Sequence, residues 1–218
     1  MSEIDLSKYG SIVFDCDGVV LNSNKIKTEA FYEASKHYGH SFAQSLKEHH
    51  VQNGGISRYK KFEYFFTNIL GKEVVKTEMD ILLLKFENEV KQGLTACDVT
   101  EMLGVLRKKT FEANWLIVSG GDQAELRSVF EARGLAEYFD GGIFGSPDAK
   151  DIILSREISL NNINKPGLFI GDSKYDYQVA KAAGLDFLFV SSWSEVVLWQ
   201  EWCDENGIIW LERVSDLL

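Results

Sequence analysis

Five short apolar runs recur along this chain, at Ser11–Phe14, Trp115–Val118, Gly167–Ile170, Phe187–Val190 and Ile208–Leu211. Each is short and rich in β-branched and aromatic side chains, so each reads as a buried strand. A weaker run lies at Gly142–Phe144. Helical patterns separate them. Thr100–Lys109 carries Met102, Leu103, Val105 and Leu106. Asp122–Arg133 opens with Asp122 and Glu125 in capping-box spacing and stops at Gly134, and Asp176–Ala183 stops at Gly184. Strands alternating with helices of this length imply right-handed crossovers. The fold class is therefore α/β, with a parallel sheet covered on both faces.

One region breaks the alternation. Between about Leu21 and Lys91 the pattern is helical throughout, with helices expected over Thr28–Tyr38, Ser41–His50, Ser57–Leu70 and Thr77–Lys91. This predicts an all-helical domain, residues 21–94, inserted into an α/β domain of residues 1–20 and 95–218. Linkers near Val20–Asn22 and Gln92–Ala96 would let the insert move as a lid.

Composition narrows the function classes. The 218 residues are enough for one large domain or a domain with an insert. A net charge of -10 argues against nucleic acid as a partner and against an anionic membrane surface. Cys16, Cys97 and Cys203 are odd in number and irregularly spaced, which fits neither a disulfide framework nor a zinc site. Reduced thiols, no apolar leader in Met1–Gly10 and no run of membrane-spanning length point to a cytoplasmic protein. Monomer and homodimer both stay open.

In an open parallel sheet, ligands bind beyond the carboxyl ends of the strands. The first strand ends in Asp15-Cys16-Asp17-Gly18, with two carboxylates two positions apart and on one face if strand geometry persists. Such a pair is costly to desolvate unless it is paired or binds a cation. The second run ends in Ser119-Gly120-Gly121-Asp122. The weak run is followed by Gly145-Ser146-Pro147-Asp148-Ala149-Lys150. Gly167–Ile170 leads into Gly171-Asp172-Ser173 and then Asp176. Polar groups from four segments would share one crevice.

These segments, in this order, resemble the four motifs of haloacid dehalogenase-superfamily phosphatases. Asp15 to Val20 resembles the first, Ser119 the second, Lys150 the third, and Gly171-Asp172-Ser173-Lys174-Tyr175-Asp176 the fourth. The helical insert resembles the cap of the branch that includes phosphoglycolate phosphatase and β-phosphoglucomutase. The resemblance covers essentially the whole chain and implies a Rossmann-like core. It also implies a Mg2+-dependent phosphatase acting on a small phosphorylated metabolite. Asp15 would be the nucleophile that forms an aspartyl-phosphate, and Asp17 the acid and base. Asp15, Asp172 and the backbone carbonyl of Asp17 would hold the metal. Asp176 would hold metal-bound water, order the loop or simply cap its helix. Ser119 and Gly120 would meet a phosphoryl oxygen, and Lys150 would neutralise it, although the surroundings Asp148-Ala149-Lys150-Asp151 depart from the familiar form of that motif.

An acid at Asp17 favours phosphoryl transfer over carbon–halogen cleavage, since a halide leaves without a proton. Related mutases carry a histidine in the helix after the first motif. The stretch from Asn22 to Phe31 has none, which favours hydrolysis. A sugar-phosphate mutase and a catalytically silent binding protein on the same fold remain the alternatives. In the insert, Asn53-Gly54-Gly55-Ile56-Ser57-Arg58-Tyr59-Lys60-Lys61 offers either substrate contacts, Arg58 foremost, or a solvated basic face. Cys16 reads as a small core residue. His49 and His50 read as a surface helix end. Trp193, Trp199, Trp202 and Trp210 read as packing of the last helix against the sheet.

Overall fold

The computed structural model describes residues 4–218. Six strands form one parallel sheet in the order β3-β2-β1-β4-β5-β6. They are β1 (Ser11–Phe14), β2 (Asn114–Asp122), β3 (Gly142–Ser146), β4 (Gly167–Gly171), β5 (Asp186–Val190) and β6 (Ile209–Leu211). β1 is central and wholly buried, paired with β2 on one side and β4 on the other. Its alternating side chains feed two cores. Val13 joins Leu116, Val118 and Phe169 against Ile153, Leu154, Val179 and Ala180. Ile12 and Phe14 join Trp115, Ile117 and Ile170 on the opposite face. The two-residue period of a strand makes this division unavoidable.

The helices that cover the sheet are α5 (Leu103–Lys109), α6 (Gln123–Ala132), α7 (Lys150–Ser159), α8 (Lys174–Ala183) and α9 (Trp199–Asn206). Asp122 caps α6 by accepting from the amides of Ala124 and Glu125, and Gly184 closes α8 in the left-handed conformation. Around Phe189, Trp199, Trp202 and Trp210 pack α9 against the sheet, as expected, whereas Trp193 lies outside that cluster and lines a separate cleft with Gly18 and Asp98.

Between β1 and β2 lie α1 (Asn24–Ser35), α2 (His40–Gln52), α3 (Arg58–Tyr64) and α4 (Lys76–Ala96), and α3 runs on into a π-helical turn over Phe65–Ile69. Their apolar faces, including Phe31, Phe62, Phe65, Phe66, Leu82, Phe86 and Val90, belong to the same continuous cluster as the sheet face that carries Phe14 and Trp115. No helix among the described residues is long and apolar enough to cross a membrane.

Several boundaries differ from expectation for identifiable reasons. β2 runs on to Asp122, because pairing with β3 resumes there, opposite Ser146, after a register shift over residues 119–121. α5 starts at Leu103 instead of Thr100, since Met102 sits at a φ of 60°. α1 starts at Asn24, not Thr28. The expected linker Gln92–Ala96 is instead the last turn of α4. Gly93 there looks like a breaker, but a Cβ on it would lie 2.6 Å from Ile26; the missing side chain lets α1 pack against α4. The chain crosses back through Cys97 and Asp98. There the two connectors pair with each other: the Asn22 amide donates to the Asp98 carbonyl, and the Thr100 amide donates to the Val20 carbonyl, each at 2.9 Å.

Candidate active site

The carboxyl edge of the sheet carries the expected residues. The Asp15 amide continues the ladder by donating to the Ile170 carbonyl at 2.9 Å, so its side chain leaves the strand pointing at the crevice. The chain then turns sharply. The Cys16 carbonyl accepts from Val20 and Leu21, and Gly18 adopts a φ of +75°. Glycine is required at that position twice over, because a Cβ there would also strike the Asp172 carboxylate. Cys16 is fully buried, and burial pushes its thiol well up, which agrees with a core role.

Lys150, at the first turn of α7, bridges two acids. Its Nζ lies 2.8 Å from Asp15 Oδ2 and 2.5 Å from Asp176 Oδ1, with the lysine side chain 1% exposed. The other Asp176 oxygen accepts from the Ser173 amide and hydroxyl at 3.1 and 2.7 Å. Asp176 is not itself the N-cap of α8, which is Ser173; it stands at the third helical position, where it completes the capping box, and it joins the charge cluster. Asp172 stands beside them, and ligand oxygens of Asp15, Asp172 and Asp176 lie within 4.8 Å of one another.

This cluster is short of positive charge. Three buried carboxylates face one lysine. Burial, with the neighbouring charges of Asp15 and Asp176, pushes the Asp172 carboxyl well above its ordinary range. Burial likewise lifts Asp15 to about 7, against the pull of Lys150. A divalent cation would balance the two uncompensated charges, and an all-oxygen donor set suits a hard one such as Mg2+. The residues present fit that ion.

Asp17 lies apart from the cluster. Its carboxylate accepts from Ser23 Oγ and Lys27 Nζ, both at 2.6 Å. Burial works to raise its pKa, but the Lys27 charge and these hydrogen bonds outweigh it, and the net shift is downward. Burial would discharge Lys27, yet Asp17 and then Glu125 hold its ammonium charged.

Ser119 is fully buried at the end of the apolar part of β2. Its Oγ accepts from the Gly121 amide at 3.0 Å, which leaves its own proton free to donate. Gly120 touches the loop between α2 and α3. A Cβ on Gly120 would collide with the Gly55 carbonyl. In Gly120→Ala the loop over Gly54–Ile56 must retreat. The expected result is faster amide hydrogen exchange in that loop with α6 unchanged, and unaltered exchange would show that the loop does not rest on Gly120.

The insert supplies one wall of the crevice. Lys27, Phe31, His50, Arg58, Lys61 and Phe86 line a cavity of about 50 Å³ over Asp15, Asp17, Gly120 and Asp172. Arg58 reaches the cavity, but its guanidinium forks onto the Glu125 carboxylate, and Tyr59 donates to Asp122 at 2.8 Å. Lys60 points away and pairs with Glu63. The surface reading of His50 is wrong: it is 8% exposed, packs on Phe31 at 4.5 Å between ring centroids and lines the cavity. A histidine pair at a helix end carries no signal of which ring the next helix will cover.

Residues that the sequence reading passed over complete the site. Besides Ser23 and Lys27, Asn24 donates to Asp172 Oδ2 at 2.6 Å and to the Trp193 carbonyl at 2.8 Å. Glu195 lines the cavity and accepts from Thr28 Oγ1 at 2.8 Å. Asn24 and Lys27 are three apart at the start of a helix that follows Asp17 directly, so they share one face. That spacing was the available signal.

A sequence model described as haloacid dehalogenase-like hydrolase matches residues 12–190. The chain belongs to the haloacid dehalogenase-like hydrolases. The match spans every one of the four segments that converge on the crevice. A search of curated proteins returns no match. Solved structures share the fold of this hydrolase over nearly its whole length. A predicted phosphatase from Clostridium acetobutylicum is 19% identical with a TM-score of 0.73, covering 97% of each chain. A predicted phosphoglycolate phosphatase from Haemophilus somnus 129PT is 16% identical with a TM-score of 0.71, covering 98% of each. β-Phosphoglucomutase from Clostridium difficile is 17% identical with a TM-score of 0.71, covering 96% of this chain and 93% of that one.

Proposed function

We propose that this hydrolase is a Mg2+-dependent phosphatase of a small phosphorylated metabolite, working through an aspartyl-phosphate on Asp15. The observation that carries the reading is the pair Asp15 and Asp17, two residues apart and held in opposite environments. Asp15 sits in the cluster short of positive charge, and Asp17 is pinned as a carboxylate by Lys27 and Ser23. Two acids so separated suit two roles. Mg2+, held by Asp15, Asp172 and the Asp17 carbonyl with Asp176 behind, would cancel the repulsion between a carboxylate and a phosphate dianion.

Asp15 attacks phosphorus, and the ester oxygen departs as an alcohol with a proton from Asp17. Water then attacks the aspartyl-phosphate, gives its proton to Asp17 and releases inorganic phosphate. Lys27 holds Asp17 in its base form, the form the second step needs, so it must loosen for the first. Ser119 Oγ donates to a phosphoryl oxygen. Lys150 steadies Asp15 and keeps Asp176 in place. Residues 21–94 act as a cap on a core of 1–20 and 95–218, shielding the intermediate. Three unpaired thiols support a cytoplasmic setting.

The test is release of inorganic phosphate from p-nitrophenyl phosphate with Mg2+, abolished by EDTA. Asp172→Ala should lose Mg2+ binding by calorimetry; binding at wild-type affinity would sink the metal assignment. Conversion of a sugar phosphate into its isomer without phosphate release would favour the mutase reading, and failure on every ester the silent one.

A further inference from the structure

Four lysine and arginine side chains are buried around the crevice, and three are committed. Lys150 holds Asp15 and Asp176, Lys27 holds Asp17, and Arg58 holds Glu125. Lys61 is different. It is 2% exposed, and among the described residues no carboxylate lies within ion-pair distance of it. Its hydrogen-bond partner is His50 Nδ1 at 2.7 Å, and the Phe31 ring lies 5.5 Å away. Both Lys61 and His50 line the cavity above Asp15. A buried ammonium with one neutral acceptor is costly, and an anion arriving in the cavity would relieve that cost.

We propose that Lys61, oriented by His50, is the specificity-determining residue of this site and reads a second anionic group, carboxylate or phosphoryl, on the leaving alcohol of the substrate. The inference rests on the phosphatase reading and adds to it the charge of the substrate beyond its transferred phosphoryl group. Burial, and then the charge of Lys61, drives the His50 imidazole well down, so it is neutral and serves as an acceptor. Burial first, and then the charge of Lys27, pulls the Lys61 ammonium down to about 7; Asp17 and Glu195 pull the other way, and Lys150 adds to the fall. Glu195 shares the cavity but is turned toward Thr28 Oγ1, and its charge would repel an anion placed beside it. The second anion therefore belongs on the Lys61 side.

The experiment compares matched esters. Wild-type protein with Mg2+ is assayed on 2-carboxyethyl phosphate against its carboxamide, and on propane-1,3-diol bisphosphate against 3-hydroxypropyl phosphate. The anionic member of at least one pair should show kcat/KM higher by about tenfold or more, the worth of one hydrogen bond to a charged group. In Lys61→Met that ratio should fall to about one, in line with loss of the same contact. The pair with the larger ratio tells carboxylate from phosphoryl. Equal rates within both pairs, or a ratio unchanged in Lys61→Met, overturn the proposal. Calorimetry with 3-phosphonopropanoate and its amide supplies a readout without turnover. Tighter binding of the carboxylate by wild type, lost in Lys61→Met, upholds the role of Lys61 even if no ester is hydrolysed, a result that would fail the phosphatase reading alone. Equal binding by the wild type within this pair and also within propane-1,3-bisphosphonate and 3-hydroxypropylphosphonate overturns it whether or not the variant folds.

Discussion

Replacing Asp15 by Asn should cut kcat on p-nitrophenyl phosphate by at least about 10⁴-fold, as expected when a covalent nucleophile is removed. The amide keeps the shape of the side chain but cannot attack phosphorus, so the loss should fall on kcat. The fold should survive, because Asp15 contributes one of the charges the cluster has in excess. In EDTA the melting temperature of Asp15→Asn should match or exceed that of the wild type. Added Mg2+ should then raise it less, since a ligand stabilises the folded state only as far as it binds. Wild-type turnover in Asp15→Asn would remove the carboxylate from the chemistry. A collapsed melting temperature would make its role structural.

The second large effect is expected from Lys150→Met. Removing the lysine strands Asp15, Asp172 and Asp176 together in a buried site. Breaking a buried ion pair on one side costs about 3–5 kcal/mol, most of it the charge left behind. For a chain of this size that lowers the melting temperature by roughly 10 °C. Turnover should vanish with it. The pH dependence follows from the direction of the Asp15 shift. Its folded pKa of about 7 lies above the ordinary 3.8, so its contribution is most favourable below 3.8 and is lost as the pH rises through 7. Without Lys150 that loss deepens. The gap between variant and wild type, measured by thermal unfolding in EDTA, should be wide at pH 8 and narrow at pH 4. A constant gap would mean that Lys150 acts through packing instead of charge.

The sheet was legible because buried strands announce themselves by apolar side chains, and the four site segments because they follow those strands. β2 shows the limit of that reading. Its register with β3 shifts after Val118 and pairing resumes at Asp122, an irregularity that the pattern of side chains does not announce. Asp15, Lys150, Asp172 and Asp176 form one cluster after three different strands, while Asp17 lines the same cavity with its carboxylate turned to Ser23 and Lys27. The cap side of the crevice was harder. Whether Lys60 or Lys61 turns inward depends on which face of α3 meets α1 and α2, and adjacent lysines look alike before packing is known. Arg58 shows the same limit: its charge was visible, but its partner Glu125 lies 67 residues away and on another element.

The paired connectors carry a further consequence. Asn22 and Thr100 tie the outgoing and returning chains to each other by backbone hydrogen bonds, so the inserted helices hang from a ribbon instead of two independent strings. A ribbon resists splaying and twists most readily about its long axis. The same ribbon fixes the register in which Arg58 meets Glu125 and Gly55 meets Gly120. The orientational entropy that two independent tethers would leave to the inserted helices is in large part surrendered once, during folding.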